Sequence, residues 1–359
     1  MRILWITETY PPARGGMAQS CDRIVRGLRA AGVRVDVAHL TRRALPWRVQ
    51  SEDGGLLLTA PLEDDPEHAL RRLWTAVDRD YTHVVAFGGT YPLLAGPTFA
   101  AWLGVPLVTL LRGNDFDTGI FSVRRKEVLL SALRSSTRVC VVARSHQPLV
   151  SALAPGIEVT WVANGIDVTN WEILPSELAA AQAWRDSVGR RTLGVVGHLK
   201  RKKGIGLMLE ALQAAGQDLH VLLVGELEEA VTEWLVNQEI AYTLMPFLDR
   251  FELPGIYARC DLVALPSFYD GLPNVALEAA ALGIPLVASD AGGLADLVDD
   301  DIGFSFRAGD PHSCRAALDR AGRATDAELA KLGQAAADRV RRDFGVAAET
   351  AGYLAVFGS

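Results

Sequence analysis

The stretch Pro266–Gly293, PSFYDGLPNVALEAAALGIPLVASDAGG, decides the fold. Gly271-Leu272-Pro273-Asn274 reads as a tight turn into a helix that begins with the apolar run Val275-Ala276-Leu277, and PLVASD reads as a short buried strand behind it. Helix and then buried strand is a fragment of an α/β unit. A turn that opens a helix aims several backbone N–H groups outward with the positive end of the helix dipole behind them, which suits a phosphate. Asp270 and Glu278, eight positions apart across the helix start, are poor phosphate ligands but good acceptors for sugar hydroxyls. Phosphate and polyol together point to a nucleotide sugar.

Outward from this stretch the same alternation repeats. In the first half RILWIT, VRVDVAHL, LLLTA, THVVAFG, PLVTLL, RVCVVA and IEVTWV read as strands. In the second half TLGVVG, HVLLVG, AYTLMPF, LVALP, PLVASD and GFSF do so, with helix-patterned segments between them. Such continuous branched runs belong to parallel sheets buried on both faces. A more polar break at Val168–Arg191 divides the series, and 359 residues exceed one ordinary core. Two doubly wound domains are therefore expected, residues 1–167 and 168–340, with ligands at the carboxyl ends of the strands. The tail predicts helices capped at Asp310 and Asp326 and an apolar last helix within 341–359 that crosses back onto the first domain. A hinge is expected near residues 165–175.

Tyr81–Leu111 contains no Asp, Glu, Lys or Arg, yet its glycines and prolines cut it into strand, helix and strand, so a buried core is expected in place of a membrane span. Four widely spaced cysteines with no CxxC point to reduced core thiols and a cytoplasmic protein. Residues 1–165 hold 19 Lys and Arg against 15 Asp and Glu, and the remainder 17 against 28. The positive first half suits an anionic acceptor or peripheral contact with an anionic membrane surface, with ordinary surface variation as the alternative. Ser122–Arg134, SVRRKEVLLSALR, has basic and apolar faces of the same kind. No nucleic-acid motif, GxGxxG, GxxxxGK[ST] or GxSxG occurs, and the histidines lack metal-ligand spacing, so neither a metal nor a cofactor is expected.

Three further loops follow strand ends. VVGHLKRKKG, Val195–Gly204, gathers four consecutive cations, Lys200 to Lys203, whose repulsion a pyrophosphate would offset; Lys203, next to the helix start, is best placed. YPPARGGMAQS sets Gly15 and Gly16 before a helix, where a ligand can approach the backbone closely. LLRGNDFD presents Arg112, Asn114 and Asp115 for an acceptor hydroxyl or the donor sugar, or else uses Asp115 or Asp117 to cap the next helix.

In order along the chain, YPPxxGG, ANGID at Ala163–Asp167, GHLxxxKG, ARCDLVALPS, the Asp270/Glu278 pair and GIPLVASDAGG form a highly specific set. With these motifs the chain resembles the family-4 group of retaining GT-B glycosyltransferases over nearly its whole length. The resemblance implies two facing Rossmann-like domains with parallel sheets and a deep cleft between them, the donor held mainly by the second. It implies that Gly16 approaches donor phosphate or sugar and that Lys203 neutralises the departing pyrophosphate. Asp270 would bind sugar hydroxyls, the amides of Leu272, Asn274 and Val275 would cradle phosphate or sugar, and Glu278 would hold the ribose. Phe247 and Leu248 stand where the family lodges the base. Three positions depart from the pattern: Asp270 replaces a Glu, His198 a strand-end Arg and Arg112 a frequent His, and these bear on sugar preference. The implied activity is hexosyl transfer from a UDP-sugar, with GDP-sugar next, to a hydroxyl of a glycan, lipid-linked or small-molecule acceptor. The alternatives are a GT-B epimerase or phosphorylase and a non-catalytic nucleotide-sugar-binding protein.

Overall fold

The computed structural model describes residues 1–62, 65–236 and 240–358. The chain forms two α/β units, one of Met1–Gly165 with Val346–Ser359 and one of Ile166–Gly345. The helical return to unit 1 starts at Val346 and not at 341, because Asp326–Asp343 is one continuous helix of unit 2.

Unit 1 holds β1 (Arg2–Thr7), β2 (Arg34–Thr41), β3 (Arg48–Glu52), β4 (Gly55–Pro61), β5 (His83–Phe87), β6 (Leu107–Leu111), β7 (Arg138–Val141) and β8 (Glu158–Trp161). They lie in the order β3-β4-β2-β1-β5-β6-β7-β8. Alternate residues of β1 serve opposite cores: Leu4 and Ile6 face one layer, Ile3 and Trp5 the other. Burial on both faces is why the run reads as continuously apolar. All pairings in this sheet are parallel except β3 with β4, an antiparallel hairpin at the edge. The β3 sequence RVQSE carries no apolar run, so the wholly parallel reading missed it.

Unit 2 holds β9 (Arg191–Val196), β10 (Leu219–Val224), β11 (Tyr242–Met245), β12 (Leu262–Leu265), β13 (Leu286–Ser289) and β14 (Gly303–Phe306), in the order β11-β10-β9-β12-β13-β14. Helix Pro175–Val188 occupies the polar break ahead of β9 and buries only Ala181. Helix Pro311–Arg323 is capped by Asp310. The following helix is capped by Thr325 and not by Asp326: the Thr325 hydroxyl accepts from the Glu328 N–H while Glu328 reaches back to the Thr325 N–H. A reciprocal pair satisfies two terminal donors, where Asp326 in the first turn adds only charge.

The charge-free stretch forms β5, helix Thr90–Leu103 and β6, and among the described residues no helix is long and apolar enough to cross a membrane. All four cysteines are free and buried, and burial pushes each thiol up to about 12.

Helix Val346–Gly358 packs on helix Gly16–Ala30, where Gly27 lets Thr350 approach so closely that a Cβ would stand 2.4 Å from its hydroxyl. Beside this crossing the Arg23 guanidinium donates to both Glu349 oxygens at 2.7 and 2.9 Å, and the Glu349 side chain is 2% exposed. Arg23→Ala leaves that carboxylate buried without its partner, so a loss of about 3–5 kcal/mol is expected, read from the denaturant midpoint of unit 1. A midpoint within error of the parent would show that the pair is not what anchors the helix.

Candidate functional site

Among the parallel strands of each sheet the order reverses once, between β1 and β5 in unit 1 and between β9 and β12 in unit 2. Loops leaving the carboxyl ends at such a point diverge and open a crevice. The candidate residues lie in loops leaving the carboxyl ends of the strands at and beside these two points.

In unit 2 the loop after β9 carries His198 to Gly204, and the loop after β12 carries Pro266 to Pro273. The Phe268 N–H donates to the Lys202 carbonyl at 3.0 Å, tying the loops together. Gly204, at φ +66°, lets them close up, since a Cβ there would fall 1.9 Å from the Pro266 carbonyl oxygen. The result is an ion pair between Lys203 Nζ and Asp270 Oδ2, both side chains partly exposed. The other Asp270 oxygen accepts the Gly271 N–H at 3.0 Å. Lys202 turns instead toward the Tyr269 ring, 5.3 Å from its centroid.

Helix Asn274–Ala281 starts directly after this turn, behind Pro273, which supplies no side-chain cap. Leu272 is buried, while Asn274 and Val275 are half-buried at the helix entrance. One turn further, Glu278 is 5% exposed and accepts the Tyr257 hydroxyl at 2.7 Å. Burial foremost, and then the Glu278 carboxylate, push the Tyr257 phenol well above its ordinary range, so it stays a donor. Trp171 packs edge-on against the Tyr257 ring at 6.0 Å. Glu278 is thus held from behind by a residue that the sequence did not mark out.

The glycine pair closing the decisive stretch has an equally local task. Gly293 N–H donates to the Gly271 carbonyl at 2.7 Å, and Gly292, at φ +54°, lies so near that a Cβ would be 1.7 Å from the Asp270 carbonyl oxygen. The loop after β13 therefore props the turn bearing Asp270. Toward the β11 edge of the sheet, His198 stacks on Phe247 with ring centroids 6.2 Å apart and 28° between planes, and its Nδ1 lies 3.5 Å from Glu226. Leu248 follows Phe247 and is half-buried. These residues leave the carboxyl ends of three adjacent strands, β9, β10 and β11.

In unit 1, Glu8 after β1, Gly89 and Thr90 after β5, and Arg112, Asn114 and Asp115 after β6 line a cavity of about 240 Å³, with Met17, Leu93, Arg125, Val128 and Leu129 completing it. Arg112 is 8% exposed; its guanidinium donates to Tyr353 Oη at 2.8 Å and to Asn164 Oδ1, and lies 5.0 Å from the Phe87 ring centre. The Asp115 carboxylate accepts the Arg112 N–H at 2.8 Å and that of Phe116 at 3.1 Å. Burial pushes the Asp115 carboxyl up, against the pull of those N–H groups and of the Arg112 charge. Asp115 thus shapes its own loop. Asn114 opens the short helix Asn114–Asp117 and is exposed.

Glu8 accepts the Tyr91 N–H, and its carboxylate lies against Gly89. An acid placed directly after the strand RILWIT was the signal available for Glu8. Gly15 has φ +108°, with nothing within 4 Å of where a Cβ would be, and Gly16 is exposed at the helix start.

Residues 14–170 match Glycosyltransferase Family 4, and residues 190–322 match Glycosyl transferases group 1. A glycogen synthase from Deinococcus deserti is 28% identical over 164 residues, covering 41% of this chain. The match spans about a third (34%) of that longer protein. Among solved structures, the sucrose-phosphate synthase of Thermosynechococcus elongatus is similar with a TM-score of 0.83 at 18% identity, covering 99% of this chain and 98% of that one. The Anabaena protein HepE, solved in complex with UDP and glucose, gives a TM-score of 0.79 at 18% identity, covering 100% and 99%. With a Family 4 match on unit 1, a group 1 match on unit 2, and the fold of these solved structures, the chain is a glycosyltransferase of GT-B fold.

Proposed function

We propose that the protein transfers a hexosyl group from a nucleoside diphosphate sugar, a UDP-sugar before a GDP-sugar, to an acceptor hydroxyl, with retention at the anomeric carbon and without a divalent metal. The observation that carries this reading is the Lys203–Asp270 pair set beside the helix entrance at Asn274, with Glu278 one turn behind. A cation, a helix N-terminus and two carboxylates match the diphosphate, the sugar hydroxyls and the ribose of one donor. The His198–Phe247 stack offers an aromatic face for the base. HepE, similar over the whole chain, is solved with UDP and glucose, which favours uracil as that base.

In the reaction the bond between the anomeric carbon and the diphosphate oxygen breaks. The acceptor oxygen bonds to that carbon on the same face, and its proton passes to the leaving phosphate. Lys203 and the helix N-terminus stabilise the charge that grows on the diphosphate, a task fixed positive groups perform without reorganising. Asp270 holds the sugar and Glu278 the ribose. In unit 1 the cavity beside Arg112, Asn114 and Asp115 takes the acceptor, Arg112 acting from its place between Asn164 and Tyr353.

Calorimetric titration with UDP, GDP, ADP and dTDP tests the reading. UDP should bind most tightly, Lys203→Ala should weaken it, and transfer to an acceptor should survive EDTA. Binding of none of the four nucleotides would overturn the donor site, and loss of turnover in EDTA would overturn the metal-free chemistry.

A further inference from the structure

We propose that the tip of unit 1 from Phe121 to Lys126 is a docking surface for an anionic phospholipid bilayer. Phe121 is 87% and Val123 90% exposed, more than any other large hydrophobic among the described residues. Arg124, Arg125 and Lys126 follow immediately and are exposed, so residues 121–127 hold three cations against the single acid Glu127. This display stands at the start of an anchored helix. The Ser122 hydroxyl accepts the Arg125 N–H and starts helix Val123–Ser135, whose Leu129, Leu130, Ala132 and Leu133 are buried in the unit. The apolar face of that helix is therefore domain core, and the large hydrophobics it leaves exposed are those of its entrance and the preceding turn.

Two apolar side chains held out among cations fit a surface that offers hydrocarbon beneath a layer of phosphate. The cationic excess of residues 1–165 has the same sign. The tip is also continuous with the unit 1 cavity, because Arg125 lines that cavity together with Glu8, Arg112 and Asp115. The docking itself does not rest on the proposed transfer chemistry.

Co-sedimentation of the full chain with vesicles of phosphatidylcholine alone, and of phosphatidylcholine and phosphatidylglycerol in equal parts, decides the matter. Binding is expected only to the anionic vesicles and should fall with added salt. Arg124→Gln with Lys126→Gln should weaken it about fivefold per cation removed. Phe121→Ser with Val123→Ser should weaken it roughly tenfold or more. Arg125 is left intact as a cavity residue, and UDP titration should be unchanged in both variants. The proposal is overturned if the parent chain binds neither vesicle, or if both variants bind as the parent does. Self-association that depends on the tip, without vesicle binding, would overturn it in favour of a second copy as partner.

Discussion

Lys203→Ala will lower the rate of sugar transfer about a hundredfold or more while leaving the protein folded. Lys203 Nζ is held by Asp270 beside the helix entrance at Asn274, so a positioned cation sits where the leaving diphosphate must gather charge. Removing a preorganised donor from such a position costs roughly 2.7–4 kcal/mol of barrier, by analogy with oxyanion sites. A second effect adds to the first. Without the lysine the Asp270 carboxylate loses its counter-charge and stands as a bare anion facing another anion. Asp270→Asn should then partly restore UDP binding to the Lys203→Ala variant, while on its own it weakens binding of the sugar and not of UDP. A merely structural lysine would lower the melting temperature and leave turnover at low temperature intact. Near-normal turnover in Lys203→Ala would remove the residue from the mechanism.

The second large effect is expected at a residue that touches no substrate. Gly292→Ala should cut kcat/KM about a hundredfold, since a misplacement of about 1 Å at reacting groups costs that much. A Cβ at Gly292 would lie 1.7 Å from the Asp270 carbonyl oxygen, so the turn carrying Asp270 must move. The left-handed φ of +54° adds about 1–2 kcal/mol of strain for any residue with a side chain. Gly216→Ala separates the two effects: φ there is +65°, but nothing lies within 4 Å of the new Cβ. That variant should lose stability through the backbone strain alone and keep its activity. Parent-like kinetics in Gly292→Ala would mean that the turn does not depend on this support.

What could be read in advance follows the range of the interactions. Strands such as RILWIT and HVLLVG announce themselves because both faces are buried, and the two-sheet architecture follows from their number and spacing. The edge strand RVQSE is invisible to that pattern, because its partner β4 and not a core selects it. Lys203, Asp270 and Glu278 were legible because each sits at a strand end or helix start within a short, chemically biased stretch. Tyr257 was not, since its hydroxyl meets Glu278 21 positions away through space. Arg112 is the plainest case: the sequence offers a strand-end cation, while its hydrogen-bond partners lie 52 and 241 positions along the chain.

The return of residues 346–358 to unit 1 also orders events during synthesis. Unit 2 is one unbroken stretch, 166–345, and every strand of its sheet is available before the last helix is made. Unit 1 has its eight strands by residue 161, yet Tyr353 for Arg112 and Glu349 for Arg23 are made only after the whole of unit 2. Unit 1 is therefore begun before unit 2 and completed after it, and until those residues leave the ribosome the loop bearing Arg112 waits for its anchor.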